Sequence, residues 1–140
     1  MFVGRFEHSL DDKGRIVLPA PWRSTLKSGC VLAPWDRCLA LWTPEQFDTV
    51  AQAIKARIGA GEGDTDVMRI FFSRAHTVNP DSQGRFVIPA EPHRQHAALG
   101  RDAVVLGQFD RIEIWDRSRF GEMEGRKSAE LDEAIRGLRL

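Results

Sequence analysis

Asp11-Asp12-Lys13-Gly14-Arg15-Ile16-Val17-Leu18-Pro19-Ala20 returns 70 residues later as Asp81-Ser82-Gln83-Gly84-Arg85-Phe86-Val87-Ile88-Pro89-Ala90. A turn, a short apolar strand and a proline, written twice in the same order, describe two copies of one small unit. The echo runs on: Trp35-Asp36-Arg37 followed by Leu39, Leu41 and Trp42 is answered by Phe109-Asp110-Arg111 followed by Ile112, Ile114 and Trp115. The chain therefore reads as a first repeat over residues 1–59, a glycine-rich linker over 60–63 and a second repeat over 64–140. Two such half-size units are expected to share one core.

Around the repeated stretch the periodicities give a mainly β chain with peripheral helices, an α+β class. Phe2 to Ser9 alternates as a strand does. Asp-x-x-Gly is a turn and Arg15 to Leu18 the strand that follows, so each repeat is expected to open with a β-hairpin. Pro19 and Pro89 end those strands. Pro19 to Leu26 and Pro89 to Leu99 read as short helical connectors, the second carrying an extra residue between its proline and its arginine, so that Arg23 aligns with Arg94. Val31 to Ala33 with Cys38 to Trp42 predicts a second hairpin, matched by Val104 to Leu106 with Arg111 to Trp115. Thr43-Pro44-Glu45-Gln46 then supplies an N-cap, a proline in the first turn and a capping-box glutamine. Phe47, Val50, Ala51, Ile54 and Ile58 follow at helical spacing as far as Gly59. A second helix is predicted over Asp64 to Ser73, leading into a strand at His76 to Val78. A third is predicted over Ser128 to Leu140, with an apolar stripe of Leu131, Ile135 and Leu138.

Composition narrows the functions open to this fold. The 20 basic residues are cancelled by 20 acidic ones, so any nucleic-acid face must be local, not a bulk positive field. Apart from Lys13, Lys27, Lys55 and Lys127 every base is arginine. Either a need for planar bidentate donors or a GC-rich coding bias produces that split. No apolar run approaches the ~20 residues of a membrane span, and the start lacks a secretory stretch, so a cytoplasmic protein is expected. Cys30 and Cys38 form no Cys-x-x-Cys site. His93 and His96 lie one helical turn apart without a third ligand at recognisable spacing. Gly59, Gly61 and Gly63 follow a helix, which is not the context of a phosphate-binding loop. No catalytic constellation, cofactor, metal or small-molecule substrate is expected.

The repeated turn carries the chemistry that remains. Gly14 and Gly84 allow positive φ. Asp11 and Asp81 can accept hydrogen bonds from turn amides or from the arginine four residues on. Held in that way, Arg15 and Arg85 stay extended, and an extended arginine suits the O6 and N7 edge of guanine in a major groove. From the residues alone, a purely structural turn closed by an ion pair fits equally well. Lys13 and Gln83, at the turn tips, are candidates for phosphate or base contact or are simply solvated. Arg5, Arg23 and Arg74 are candidate flanking phosphate contacts.

The chain also resembles the MraZ transcriptional regulators, built from two tandem SpoVT/AbrB-type units. The resemblance covers essentially the full length. It rests on Met1-Phe2 with Gly4, on Leu10-Asp11-Asp12-Lys13-Gly14-Arg15 with Leu18-Pro19, on Asp81-Ser82-Gln83-Gly84-Arg85 with Ile88-Pro89, and on Gly107-Gln108-Phe109 leading to Glu113-Ile114-Trp115. It implies a double-split β-barrel and a homo-oligomeric ring, octamer or dodecamer. The ring would be associated with the nucleoid and bind short G-rich repeats upstream of the division and cell-wall cluster, controlling transcription there, as a repressor. It also implies that Asp11 with Arg15 and Asp81 with Arg85 are the DNA-contacting pairs. Two departures stand out: Pro80 before the second turn, and the extra residue within Pro89 to Arg94, which would start the second connector helix late or tilt it. A ring would resolve the charge puzzle, because several weak local patches act together through effective concentration. Two other readings use the same fold: an AbrB-type antitoxin with a disordered toxin-binding tail, which the helical tail here does not match, and a ring scaffold for protein partners. In the scaffold reading Trp22, Trp35, Trp42 and Trp115 offer interfaces, although the repeated Trp42 and Trp115 suit a core.

Overall fold

The computed structural model describes residues 1–140. In chain order its strands and helices are β1 (Arg5–Ser9), β2 (Arg15–Val17), β3 (Cys30–Trp35), β4 (Cys38–Trp42), α1 (Pro44–Gly59), α2 (Thr65–Ser73), β5 (His76–Val78), β6 (Arg85–Val87), β7 (Asp102–Gly107), β8 (Ile112–Asp116), α3 (Arg117–Lys127) and α4 (Leu131–Gly137). The strands form an open antiparallel six-stranded sheet of order β1-β7-β8-β4-β3-β5 and a separate two-stranded ribbon, β2-β6. The class is α+β, as the periodicities indicate.

The two repeats are interleaved. β1 of the first repeat pairs with β7 of the second, Phe6 opposite Val105, while β5 of the second pairs with β3 of the first, Leu32 opposite His76. The hairpins β3-β4 and β7-β8 form as expected and abut through β4 and β8, Leu41 opposite Ile112. Replacing each strand by its counterpart in the other repeat leaves the sheet order unchanged. An approximate two-fold axis therefore runs between β4 and β8 and between β2 and β6.

The opening hairpin of each repeat is overturned by this arrangement. β1 and β2 lie on either side of a tight turn, yet β1 joins the large sheet and β2 crosses to β6, Ile16 opposite Phe86. The turn itself closes, Gly14 N donating to Asp11 O over 3.0 Å and Asp11 N to Arg15 O over 2.9 Å. The Leu10 amide is already committed to Arg101 O at 2.8 Å, so the strands part immediately before the turn. Alternation tells which face of a strand is buried and leaves its neighbour undetermined.

Eighteen buried residues from both repeats make one core under the ribbon, among them Ile16, Leu18, Phe86, Ile88, Leu32, Leu41, Ile112 and Ile114. On the other side of β3-β4, Ala33, Ala40 and Trp42 receive α1 and α2 through Phe47, Val50 and Phe71. Trp42 stands edge-on to Trp35 at 5.3 Å between ring centres. Both Trp42 and Trp115 are buried. α1 begins where the capping signal puts it, Thr43 Oγ1 accepting from Gln46 N at 3.1 Å, and α2 is capped by Asp64. The tail turns helical earlier than expected. α3 starts directly after β8, with the Asp116 carboxylate accepting from Arg119 N, and a short turn separates it from α4. Gly121, Gly125 and seven charged or polar side chains among the 11 residues of α3 leave Phe120 and Met123 as its apolar positions, so no periodic stripe announces it.

The connectors differ as the extra residue implies. The first makes a single tight turn at Ala20–Trp22. In the second, Glu91 stays extended (φ −131°, ψ 139°) and the helical turn begins only beyond it.

Candidate nucleic-acid interface

The β2-β6 ribbon takes one strand from each repeat, paired side by side on the approximate two-fold axis. Ile16 and Phe86 point into the core, 1% and 6% exposed. By the two-residue period of a strand, Arg15, Val17, Arg85 and Val87 share the opposite, outward face. Arg15 lies opposite Val87, and Val17 opposite Arg85. The two arginines are thus diagonal neighbours, with a backbone separation of roughly 7–8 Å. Their turns lie at opposite ends of the ribbon.

Each turn grips its arginine with one carboxylate. Asp11 Oδ1 accepts from the amides of Lys13 and Arg15, both at 2.9 Å, while Oδ2 accepts from Arg15 Nε at 2.7 Å. Asp81 repeats the pattern with the Gln83 and Arg85 amides at 2.9 Å and Arg85 Nε at 2.9 Å. Gly14 (φ +73°) and Gly84 (φ +79°) take the left-handed conformation that closes these turns. Both carboxyls are held below the ordinary 3.8, chiefly by the backbone amide of their own arginine, with its guanidinium adding to the effect. Fixing Nε leaves the two terminal Nη groups of each guanidinium for another acceptor, and those groups form a planar bidentate edge.

The other candidates separate in space. Lys13 and Gln83 are exposed at the turn tips. Arg23 comes to the second turn, lining a polar depression with Ser24, Lys27, Asp81 and Ser82. At the first turn the matching depression holds Asp11, Asp12, Arg94 and Arg101. Lys27, Arg94 and Arg101 were not among the sequence candidates, although the alignment of Arg23 with Arg94 already carried half the signal. Arg5 sits at the end of β1 remote from the first turn, ion-paired with Glu124 at 2.8 Å and lying over the Phe120 ring. Arg74 caps the C-terminus of α2, and its carbonyl accepts from Nε2 of the buried His93 at 2.9 Å. His96 gives its Nε2 hydrogen to Asp36 O at 2.7 Å, so each of these histidines serves the main chain. Cys30 and Cys38 are buried free thiols, and burial pushes Cys30 up to about 12.

Two interleaved repeats around an exposed ribbon, each presenting an arginine clamped by an Asp-x-x-Gly turn, define a protein of the tandem AbrB-type class. The family model described as "MraZ protein, putative antitoxin-like" matches residues 1–65 and again residues 71–136. Transcriptional regulator MraZ of Salinispora tropica is 42% identical over 118 residues, covering 84% of this chain and 82% of its own. The protein of the same name from Frankia alni is 39% identical over 139 residues, with 96% of each chain covered. That from Arthrobacter sp. strain FB24 is 37% identical over 142 residues, with 99% of each covered. The chain belongs to the MraZ family.

Proposed function

We propose that this chain is a transcriptional regulator that reads double-stranded DNA with the outward face of its β2-β6 ribbon. The observation that carries the reading is the diagonal placement of Arg15 and Arg85 on one exposed two-stranded ribbon, each held at Nε by its own turn. A two-stranded ribbon fits the major groove, and an arginine with a free Nη edge pairs with guanine O6 and N7. Asp11 and Asp81 aim the arginines, and Gly14 and Gly84 permit the turn. Arg23 and Lys27 at one end of the ribbon, with Arg94 and Arg101 at the other, stand where flanking phosphates would pass; Lys13 and Gln83 add contacts at the tips. Arg5 and Arg74 are at best outlying phosphate contacts on this geometry.

The operator is a set of repeated G-rich promoter boxes upstream of the division and cell-wall cluster, and the regulator acts as a repressor in the cytoplasm, on the nucleoid. No helix is long and apolar enough to cross a membrane. Zero formal charge makes one copy a poor DNA ligand, so the working form is a homo-oligomeric ring, an octamer or dodecamer, in which many weak heads act at high effective concentration. The exposed stripe of Leu131 and Ile135 on α4, continued by Leu138 at its C-cap, supports contact with a neighbouring subunit.

The deciding experiment titrates wild type, Arg15→Ala and Arg85→Ala against a fragment bearing several G-rich repeats and a scrambled fragment, at two salt concentrations, with the oligomer checked by light scattering. Preference for the repeats in wild type, lost in each variant while the oligomer persists, is the expected result. Equal weak binding of both fragments by all three proteins would reduce the clamped turns to a structural device and turn attention to antitoxin-like or scaffold roles.

A further inference from the structure

We propose that Arg23 and Arg94 are positioning residues that lock the reading turn of the opposite repeat, so that neither repeat can present its arginine alone. The proposal rests on the DNA-reading role above.

At the second turn the contacts close a ring of three. Leu18 N donates to Gly84 O at 2.7 Å, Arg23 Nε donates to Leu18 O at 2.9 Å, and the Arg23 side chain packs against Gly84. A β-carbon at Gly84 would stand 2.5 Å from Arg23 Nε and 3.1 Å from Leu18 O. The first repeat thus covers and hydrogen-bonds the residue immediately before Arg85. The first turn is treated in the same way by the second repeat. Ile88 N donates to Gly14 O at 2.9 Å, and the Arg94 guanidinium covers Gly14, 3.2 Å from where a β-carbon would be. Here the ring is left open, because Arg94 Nε is buried without a partner. Its cause is the longer second connector, in which extended Glu91 shifts the helical turn that carries Arg94. The second turn is therefore the stiffer reading head and the first the more adaptable.

A direct phosphate contact needs only positive charge, whereas the lock needs a planar guanidinium and its Nε hydrogen. Arginine-to-lysine variants separate the two. Full-length Arg23→Lys, Arg23→Gln and Arg94→Lys are compared with wild type and Arg85→Ala. Amide hydrogen exchange is followed in the free proteins, and the preference for G-rich over scrambled DNA is measured at several salt concentrations. Arg23→Lys should speed exchange at residues 82–85 and leave 11–15 unchanged, and Arg94→Lys should do the reverse. Arg23→Lys should lower the DNA preference roughly tenfold, part of what one bidentate base contact is worth, with the salt slope kept. Wild-type exchange and preference in Arg23→Lys would overturn the proposal. So would an Arg23→Gln protein that loses about one unit of salt slope while keeping its preference, the signature of a phosphate contact. If Arg85→Ala keeps full preference the reading-head assignment fails instead, and the crossed exchange pattern still decides whether the lock exists.

Discussion

Ile16→Ala probes whether the two repeats fold as one body. Ile16 is 1% exposed, sits opposite Phe86 across the ribbon, and belongs to the core that both repeats fill. Truncating a buried isoleucine to alanine costs about 2–5 kcal/mol, the upper part of that range applying where neighbours cannot collapse into the gap. The neighbours here come from two separate stretches of chain pinned by the ribbon, so a loss of about 3–4 kcal/mol is expected. Set against a total stability of roughly 5–15 kcal/mol, that is a large fraction. For a chain of this length it lowers the melting temperature by about 10 °C or more. Urea unfolding at fixed protein concentration, followed by tryptophan fluorescence and by circular dichroism, should show one transition for both probes, moved to lower urea with unchanged slope. The tryptophans report from both repeats, Trp22, Trp35 and Trp42 from the first and Trp115 from the second. A second transition that stays at its wild-type position, or a loss below about 1 kcal/mol, would refute a shared core.

Three further outcomes follow from particular contacts. Asp11 and Asp81 sit below 3.8, so their grip on Arg15 and Arg85 is complete above that pH and is lost only as the pH falls through the lower folded values. DNA preference should be flat between neutrality and pH 5 in titrations, and a fall in that window would point to another group. His93 and His8 are pushed below 6.5 by burial, so folding favours their neutral forms. Their contribution is intact above 6.5 and lost as the pH falls below it, and the double variant His8→Gln/His93→Gln should flatten that part of a stability–pH curve. Gly107 N donates to Gly4 O at 2.8 Å, and a β-carbon there would overlap the backbone of Phe2 and Val3. Gly107→Ala should therefore cost more than about 2 kcal/mol in thermal melts, and an unchanged melting temperature would show that this edge yields freely.

What could be read from the sequence was what the chain settles within a few residues. Thr43 caps α1 because its hydroxyl needs only Gln46, and Asp11 and Asp81 grip arginines four positions away. The hairpins β3-β4 and β7-β8 have their partners adjacent, and the extended Glu91 was foreshadowed by a one-residue mismatch. What escaped was decided across long stretches of chain. The exchange of β1 and β5 between repeats leaves no local trace, because Phe6 alternates identically whether its neighbour is β2 or β7. Lys27 and Arg101 become neighbours of the turns only through that exchange. α3 escaped for the opposite reason: it packs so little apolar surface that its pattern is indistinguishable from a polar loop.

If the ribbon reads DNA as proposed, its register also limits how many boxes one chain can address. Arg15 and Arg85 are roughly 7–8 Å apart along one pair of strands. Bases along a duplex strand are 3.4 Å apart, so that separation corresponds to about two steps, and somewhat more if the tips lean toward their clamping aspartates at opposite ends. On the proposed reading, both arginines of a chain would then fall in one stretch of major groove and read one box, and separate boxes would require separate subunits. The duplication would then double the contacts within a box, and the spacing between boxes would be set by the proposed ring. Selection of preferred sites from a randomised box should then show Arg15→Ala and Arg85→Ala relaxing two positions within a few base pairs of each other in the same box. If instead the two variants relax positions in separate boxes, the arginines do not act from a common ribbon face and the diagonal register is not the reading unit.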